Sequence, residues 1–419
     1  MTALERDGRP VTGPRRRALP PPADPERDRL VPLPDPRRRH RLLLSTAAVQ
    51  ISAALAVAAV AAPGAAVRAA AVAAAAAVTG LWLGPDGRHL VERLAARRRL
   101  RRRRRRAAAT ALTGPDRRLG VLAALAPELR LHTVPGSPDP LGVGVDAHGW
   151  FAVLEVLPGP GLRGDEARPL DLRRLAQALV DHPTPPSAVQ LVVHTVPPLA
   201  AAQPDGRAGD PAVPARQRPA ARPDGRGGEP AVPARQRVWL AVRVGAEPLA
   251  GAGASLADIR LAVTAAAGWG GHALRRMGLA GQPLNRPDLV DALADSLGVP
   301  DGAALLAADG VAERWASCRV GAGVHLTCAV EWPAAAPETP LDALLSPLVT
   351  STVAVVLRPE QGAVSVRCLV RYRAPQPQAR QALRDALHRA ARAGLRVRPM
   401  HGEQGPALYA SAPTGGSAL

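Results

Sequence analysis

The longest uncharged stretch of the chain constrains its fold more than any other feature. Residues 42–67 contain no charged side chain, and a second uncharged stretch, 69–85, follows Arg68. As a helix, residues 42–85 would be roughly 66 Å long at about 1.5 Å per residue, about twice the thickness of a hydrocarbon core of about 30 Å. Pro63 and Gly64 break helices readily, and an arginine held at mid-bilayer costs about 3 kcal/mol. We therefore predict a two-helix transmembrane hairpin over 37–87, with its turn near Pro63, Gly64 and Arg68.

This stretch has two other interpretations. A cleaved signal peptide does not fit, because the stretch begins some 40 residues into the chain and exceeds the apolar segment of a signal peptide. One span followed by an interfacial helix remains open, since alanine is only weakly apolar and residues 69–83 are mostly Ala and Val. Small residues would also allow close packing between the two helices or against partner subunits.

The basic residues are distributed unevenly. No lysine occurs, and residues 1–118 hold 25 arginines against 9 acidic residues, whereas residues 119–419 hold 29 against 26. A domain that binds duplex nucleic acid normally carries its own basic face, so the nearly neutral C-terminal part argues against nucleic acid as a partner. The absence of lysine also excludes a phosphate-binding P-loop and a lysine Schiff base.

Arginines flank both outer ends of the predicted hairpin. Residues 37–41 contain four arginines, and residues 88–106 contain eleven, so the positive-inside rule predicts a multi-pass protein of the cell membrane with both termini cytoplasmic. We predict that the Arg-rich juxtamembrane segment 88–118 binds anionic lipid headgroups, at about 1 kcal/mol per arginine near the surface. The residues are Arg97, Arg98, Arg99, Arg101, Arg102, Arg103, Arg104, Arg105 and Arg106. A solvated helix that only sets the topology is the simpler interpretation.

Two segments have the composition of disordered chain. Residues 1–36 are rich in Pro, Arg and Asp and predict a disordered tail. The segment PDGRAGDPAVPARQR at 204–218 recurs as PDGRGGEPAVPARQR at 223–237, and two copies are too few for a solenoid. We predict a disordered duplicated insert over 197–237. Without it, a strand at 187–196 lies next to a strand at 238–244, which suggests an antiparallel pair.

The rest of 119–416 predicts a cytoplasmic α+β domain with a mixed, mainly antiparallel sheet. Strands are expected at 149–157, 324–332, 350–357 and 364–372, and a final strand or hairpin at 395–411. Helices are expected at 170–180, after a capping box at Ser255 and Asp258, from Asn285 onward, and at 378–393 before Gly394. Gly268, Gly270 and Gly271 are expected to interrupt the second of these helices.

Alternation within two strands predicts one buried and one outward face. Along 364–372, Ser365, Arg367 and Arg371 are expected to point outward, and along 324–332 His325, Thr327 and Glu331 share the face opposite Val324 and Leu326. The tryptophans are predicted to anchor the core from strands; they are Trp150, Trp239, Trp315 and Trp332.

No group of residues predicts catalysis, and we expect no catalytic, cofactor-binding or metal site. The trio Asp288, Asp291 and Asp295 could bind a cation, but acidic residues near a helix start are favoured by its dipole. The cluster Gly268–Gly271 lacks the spacing of a phosphate loop and indicates close helix packing or a helix break. Cys328 and Cys368 lie on apolar strand faces, which is typical of buried structural thiols.

The order of these parts resembles the EccE family, a membrane component of the actinobacterial type VII (ESX) secretion system. The resemblance covers roughly residues 40–416 and rests on the hairpin, the arginine run and seven segments. These are GVGVDAHGWFAVLEV (142–156), SAVQLVVHTVPP (187–198), VWLAVRV (238–244), RWASCRVGAGVHLTCAVEW (314–332), STVAVVLRPE (351–360), VSVRCLVRY (364–372) and GLRVRPMHGEQGPALYASAPTGG (394–416). The chain departs from the family in its duplicated insert and its Ala-rich spans.

The resemblance implies a non-enzymatic structural subunit. Family members assemble in the inner membrane with EccB, EccC and EccD proteins, where EccC supplies the ATPase for export of small helical proteins. Two alternatives stay open from the residues alone. One is a membrane-tethered transferase that acts on a lipid-linked substrate, and the other is a membrane-bound nucleic-acid binder that uses 97–106.

Overall fold

In the computed structural model of the chain, a single sheet organises the fold. The structure describes residues 30–32, 50, 53–54, 57, 64–82, 90–109, 117–135, 139–158, 170–197, 235–251, 253–299, 310–331, 344–346, 348–360 and 363–416. Most of the predicted tail, of the first predicted span and of the predicted insert, together with Trp332, therefore lies outside the described residues.

Thirteen strands form the sheet among these residues. They are β1 (Leu30–Pro32), β2 (Arg130–Val134), β3 (Leu141–Asp146), β4 (Gly149–Pro158), β5 (Ala188–Val196), β6 (Arg235–Gly245), β7 (Leu279–Pro283), β8 (Val311–Glu313), β9 (Cys318–Val320), β10 (Gly323–Glu331), β11 (Thr350–Glu360), β12 (Ala363–Ala374) and β13 (Arg396–Pro399). The main order is β2-β3-β4-β6-β5-β11-β12-β10-β9-β8, with β7 beside β4, β13 beside β10 and β1 beside β12. The β1–β12 pair is parallel, and the other pairs are antiparallel.

Nine helices have bounds within the described ranges. They are α1 (Ala65–Trp82), α2 (Leu90–Ala109), α3 (Arg117–Leu125), α4 (Leu172–Val180), α5 (Ala246–Gly251), α6 (Leu256–Arg276), α7 (Arg286–Leu297), α8 (Gln376–Arg392) and α9 (Gln404–Ala410). The predicted α+β class with a mainly antiparallel sheet is confirmed.

Helices cover both faces of the sheet, so the domain has three layers. One hydrophobic cluster joins the first face to α4, α6 and α8, and includes Leu175, Leu274 and Ala386. A second cluster joins the opposite face to α3, α7 and α9, and includes Leu122, Leu293 and Leu408. Side chains that alternate along the central strands are therefore buried on both sides.

Part of the predicted pattern of inward and outward side chains is wrong, because helices α3, α7 and α9 cover the second face of the sheet. Ser365 and Arg371, expected to point outward, are each 1% exposed, whereas Arg367 is half-buried. His325 and Thr327, on the face opposite Leu326, are 0% exposed. Alternation identified the two faces correctly, but it does not show that polar side chains on one face are covered by α7 and α9.

Of the other local predictions, some are confirmed and one is wrong. The antiparallel β5–β6 pair is confirmed, with Val193 opposite Val238, and so is the capping box of Ser255 and Asp258. The predicted interruption of α6 by glycines is wrong, because α6 runs unbroken through them. A Cβ at Gly270 would lie 3.3 Å from Val242 Cγ1, so a glycine here lets the helix approach the sheet.

Several elements differ in type or in bounds from the prediction. The expected final strand or hairpin at 395–411 is a short strand, β13, followed by helix α9. Strand β6 begins at Arg235, inside the predicted insert, and β1 lies inside the predicted tail. The helix before Gly394 is confirmed, with that glycine at a φ of 73°.

The membrane hairpin stays a prediction. Helix α1 occupies most of the second predicted span, while the first predicted span falls almost wholly outside the described residues. Among the residues that the structure describes, none of the helices has both the length and the apolar character needed to cross a membrane.

Candidate membrane-facing interface

The arginine-rich helix α2 packs against the domain along one side. Alanine, leucine and arginine are strong helix formers, which accounts for a helix here despite the run of like charges. Ala96 and Leu100, four residues apart and so on one face, are 2% and 7% exposed. Arg103 follows on the same face, so the helix contacts the domain through two small apolar groups and one cation.

Arg103 forms a bidentate contact with the domain. Its Nε and Nη2 donate to the two carboxylate oxygens of Glu313, each over 2.9 Å, and Nη2 also donates to the Gly402 carbonyl over 2.6 Å. The Glu313 side chain is only 8% exposed and also accepts from the Gly405 amide over 2.9 Å. Parallel, charge-assisted hydrogen bonds of this kind fix orientation as well as adding stability.

Further contacts extend along α2, and we call this line of contacts between α2 and the domain the α2 seam. Arg99 donates to Glu403 over 3.3 Å, and that carboxylate is 4% exposed. Arg97 lies over the Trp315 ring, with its Cζ 5.5 Å from the centroid, and the ring stacks on His401 at 6.3 Å. Trp315 is half-buried in the loop between β8 and β9 rather than on a strand, so it anchors α2 instead of the core.

The opposite side of α2 presents cations to the surroundings. The exposed arginines there are Arg98, Arg101, Arg102 and Arg105. At about 100° per residue these positions cover the side of the helix away from Ala96, Leu100 and Arg103. One helix thus has a face bonded to the domain and a basic face.

The nine arginines predicted to bind headgroups therefore fall into different positions. Arg103 is hydrogen-bonded to the domain. Arg99 forms an ion pair with Glu403, although half of the Arg99 side chain is exposed. Arg98, Arg101, Arg102 and Arg105 form the exposed face. Arg97 lies over the Trp315 ring, and Arg104 lines a cleft of about 410 Å³ beside Leu125 and Pro406. Arg106 lies in α2, but its side chain is outside the described part of the structure.

Two of the three acidic residues of α7 form ion pairs with arginines of other elements. Asp291 accepts from Arg118 over 2.5 Å, and Asp295 accepts from Arg237. Asp288 lies in the first turn, where the Asn285 side chain caps its amide. Two of the three carboxylates thus join α7 to α3 and to β6.

The three thiols are buried, as expected for the two that were predicted. Cys318, Cys328 and Cys368 are unpaired, and burial raises the pKa of Cys328 and of Cys368 to about 12. Burial also raises the pKa of Cys318. These thiols stay protonated at neutral pH and act as small apolar groups.

A buried polar layer on the second face was not predicted from the sequence. Arg371 donates to the Leu408 carbonyl over 3.2 Å, to the Thr352 hydroxyl over 3.0 Å and to the Ser296 carbonyl. Thr352 Oγ1 lies 2.9 Å from His194 Nδ1. Burial, then the charge of Arg371, lowers the pKa of His194 to about 3, and the same causes hold the pKa of His325 well below its usual value.

A buried ion pair at the other end of this layer holds the C-terminal segment. The side chains of Asp146 and Arg243 are each 4% exposed, and their two hydrogen bonds measure 2.7 and 2.8 Å. Burial opposes ionisation of Asp146, but the hydrogen bond and charge of Arg243 outweigh it and lower its pKa. Tyr409 donates to the same carboxylate over 3.0 Å, and Arg243 donates to the Thr414 carbonyl over 2.5 Å. The only sequence signal for this layer was a polar residue at every second strand position.

A comparison with protein-family models finds no match, and a comparison with curated protein sequences finds none either.

Proposed function

We propose that this chain is a non-enzymatic scaffold subunit of a type VII secretion membrane complex. In this proposal the hairpin over 37–87 anchors the chain in the cell membrane, and the domain lies in the cytoplasm. Its partners are EccB-, EccC- and EccD-like membrane subunits, and the complex exports small helical proteins.

The observation that supports the proposal best is the two-sided character of α2. This helix follows the apolar stretch in the chain, is about 30 Å long, and is bonded to the domain through Arg103 and Glu313. A tethered enzyme needs only a loose connection to its membrane, whereas a scaffold must hold its domain in one orientation. A packed connection with an outward basic face serves that second purpose.

The basic face also suits an anionic membrane surface. Arginines near such a surface each contribute about 1 kcal/mol, and the potential decays within a Debye length of about 8 Å at physiological salt. Because Arg101, Arg102 and Arg105 point away from the domain, they can reach headgroups while Ala96 and Leu100 stay packed.

Purification of the tagged full chain from native membranes tests the proposal. We expect it to migrate with EccB-, EccC- and EccD-like subunits, and we expect secretion to fail when the chain is deleted. Changing Arg99 and Arg103 to alanine should weaken this association, while the matched change of Arg380 and Arg384, exposed on α8, should not. Isolation as a lone monomer, with secretion unaffected by its deletion, would rule the proposal out.

A membrane-tethered enzyme has less support. The cleft of about 410 Å³ beside Arg104 has the size of a small-molecule site. Its acidic lining residue, among the residues described, is Glu313, whose two oxygens already accept from Arg103 and the Gly405 amide. That carboxylate is therefore committed to the α2 seam rather than placed to act on a substrate.

A further inference from the structure

A small cleft opens at the end of the buried polar layer, where β5, β6 and β12 meet the C-terminal end of α7. It measures about 210 Å³, and its charged lining residues are Arg235, Arg237, Asp295 and Arg373. His194, Val196, Gly298 and Val299 complete the lining. The cleft shares no lining residue with the larger one beside α2.

The charges around this cleft do not balance. Arg237 donates to Glu155 over 2.9 Å and also to Asp295, so both nearby carboxylates are bonded to the same guanidinium. With Arg235 and Arg373 on the lining, three guanidinium groups face two carboxylates, a net charge of +1. A cleft with walls of low dielectric and an excess of one charge concentrates counter-ions of the opposite sign.

Arg371 adds a fourth cation beneath the lining. It is 1% exposed, and its hydrogen bonds go to two carbonyls and to the Thr352 hydroxyl rather than to a carboxylate. Because Thr352 Oγ1 accepts from Arg371, its own proton is available for His194 Nδ1. That arrangement favours the neutral His194 tautomer with its proton on Nε2, a hydrogen-bond donor on a residue that lines the cleft.

Two glycines leave room for the Arg373 guanidinium. A Cβ at Gly298 would lie 2.3 Å from Arg373 Cζ, and a Cβ at Gly323 would lie 2.7 Å from its Nε. One Nη donates to the Gly298 carbonyl over 2.9 Å, while the buried Nε finds no acceptor within the described residues. The guanidinium thus packs against two glycine backbones and is oriented by one hydrogen bond to a carbonyl.

From this geometry we propose that the cleft binds a small oxyanion of the phosphate type. Arginine donors match phosphate oxygens in a forked geometry, and a cleft of about 210 Å³ is smaller than typical sites for drug-sized ligands. Arg235 and Arg373 are the direct ligands, and Arg237 is positioned by its two carboxylate partners. This site lies apart from the α2 face and does not depend on the scaffold role.

Calorimetric titration of the purified full chain with inorganic phosphate tests the proposal, with chloride at equal ionic strength as the blank. We expect saturable binding that weakens at least about tenfold in Arg373→Gln, the loss expected for a charged hydrogen bond. Arg235→Gln, an exposed change that leaves the core intact, should also weaken binding. Arg380→Gln on α8 removes the same charge elsewhere and should leave binding unchanged.

The same titration in nanodiscs distinguishes a soluble phosphate ligand from a lipid headgroup. Equal phosphate affinity in phosphatidylcholine and phosphatidylglycerol discs supports a soluble phosphate ligand. Weaker phosphate binding in phosphatidylglycerol discs alone supports a lipid headgroup in the cleft. The proposal is overturned if phosphate does not saturate, or if Arg373→Gln and Arg235→Gln bind it as tightly as the Arg380→Gln control does.

Discussion

Arg103 and Glu313, 210 positions apart in the chain, meet in a two-pronged ion pair with both hydrogen bonds at 2.9 Å. The carboxylate is 8% exposed, so this pair is shielded from salt far more than a surface pair would be. It makes the arginine-rich helix part of the packed domain, where the sequence alone suggested a solvated extension.

Removal of the Arg103 side chain should destabilise this packing. We expect Arg103→Ala to lower the free energy of unfolding by about 2 kcal/mol, because Glu313 loses two charged hydrogen bonds. Arg102→Ala, on the exposed side of the same helix, should change it by less than about 0.5 kcal/mol. Urea denaturation measures both, and equal effects for the two variants would contradict the proposed seam.

Gly402 supports the seam through its backbone. Its φ is 74°, and a Cβ there would lie 2.6 Å from Trp315 Cζ3. Gly394 has a φ of 73°, but a Cβ there would meet no atom within 4 Å, so Gly394→Ala isolates the backbone cost of about 1 kcal/mol. We expect Gly402→Ala to cost about 3 kcal/mol in thermal or urea unfolding. Similar losses in the two variants would show that the ring can move aside freely.

The buried histidines should make the domain sensitive to mild acid. The pKa of His194 is about 3 in the folded chain and near 6.5 when unfolded, so between these values the unfolded state binds one more proton. The free energy of unfolding should therefore fall as pH falls below 6.5, by up to about 1.4 kcal/mol per pH unit for this residue.

Two variants isolate that contribution in urea titrations across this pH window. His194→Asn keeps a polar group near Thr352 and should reduce the slope by about one proton. His272→Asn, exposed on α6, is the matched control for the loss of an imidazole. An unchanged slope in His194→Asn would show that this histidine takes up its proton equally in the folded and the unfolded chain.

The exposed arginines of α2 should retain anionic lipid. We expect a change of Arg101, Arg102 and Arg105 to glutamine to weaken the binding free energy of phosphatidylglycerol by about 1 kcal/mol per arginine. Less of this lipid should then remain bound to the purified full chain. The matched control changes Arg380, Arg384 and Arg392, three exposed arginines of α8. Native mass spectrometry counts the lipids, and equal loss from both triple variants would indicate general charge attraction only.

Local chemistry in the sequence predicted the elements well, because their signals lie within a few residues. Ser255 with Asp258 indicated the start of α6, and Gly394 the end of α8. Burial of Arg371 could not be predicted in this way, since it depends on α7 and α9, which come from distant parts of the chain. For the same reason, nothing in the arginine run distinguished Arg103 from its neighbours.

The site was predictable only in part. The run 97–106 identified a basic segment, and its helical spacing places most of it on one exposed side. The carboxylates that fix it, Glu313 and Glu403, are isolated acidic residues in loops and short strands, without a pattern of their own. Their role follows from the packing of β8 and α9 beside α2.

Carbonate extraction of membranes tests the central claim, that the apolar stretch 42–85 anchors this chain in the bilayer. The full chain should remain in the membrane pellet after alkaline carbonate, and a variant without 42–85 should move to the supernatant while its domain stays folded. Release of the full chain into the supernatant would contradict the account.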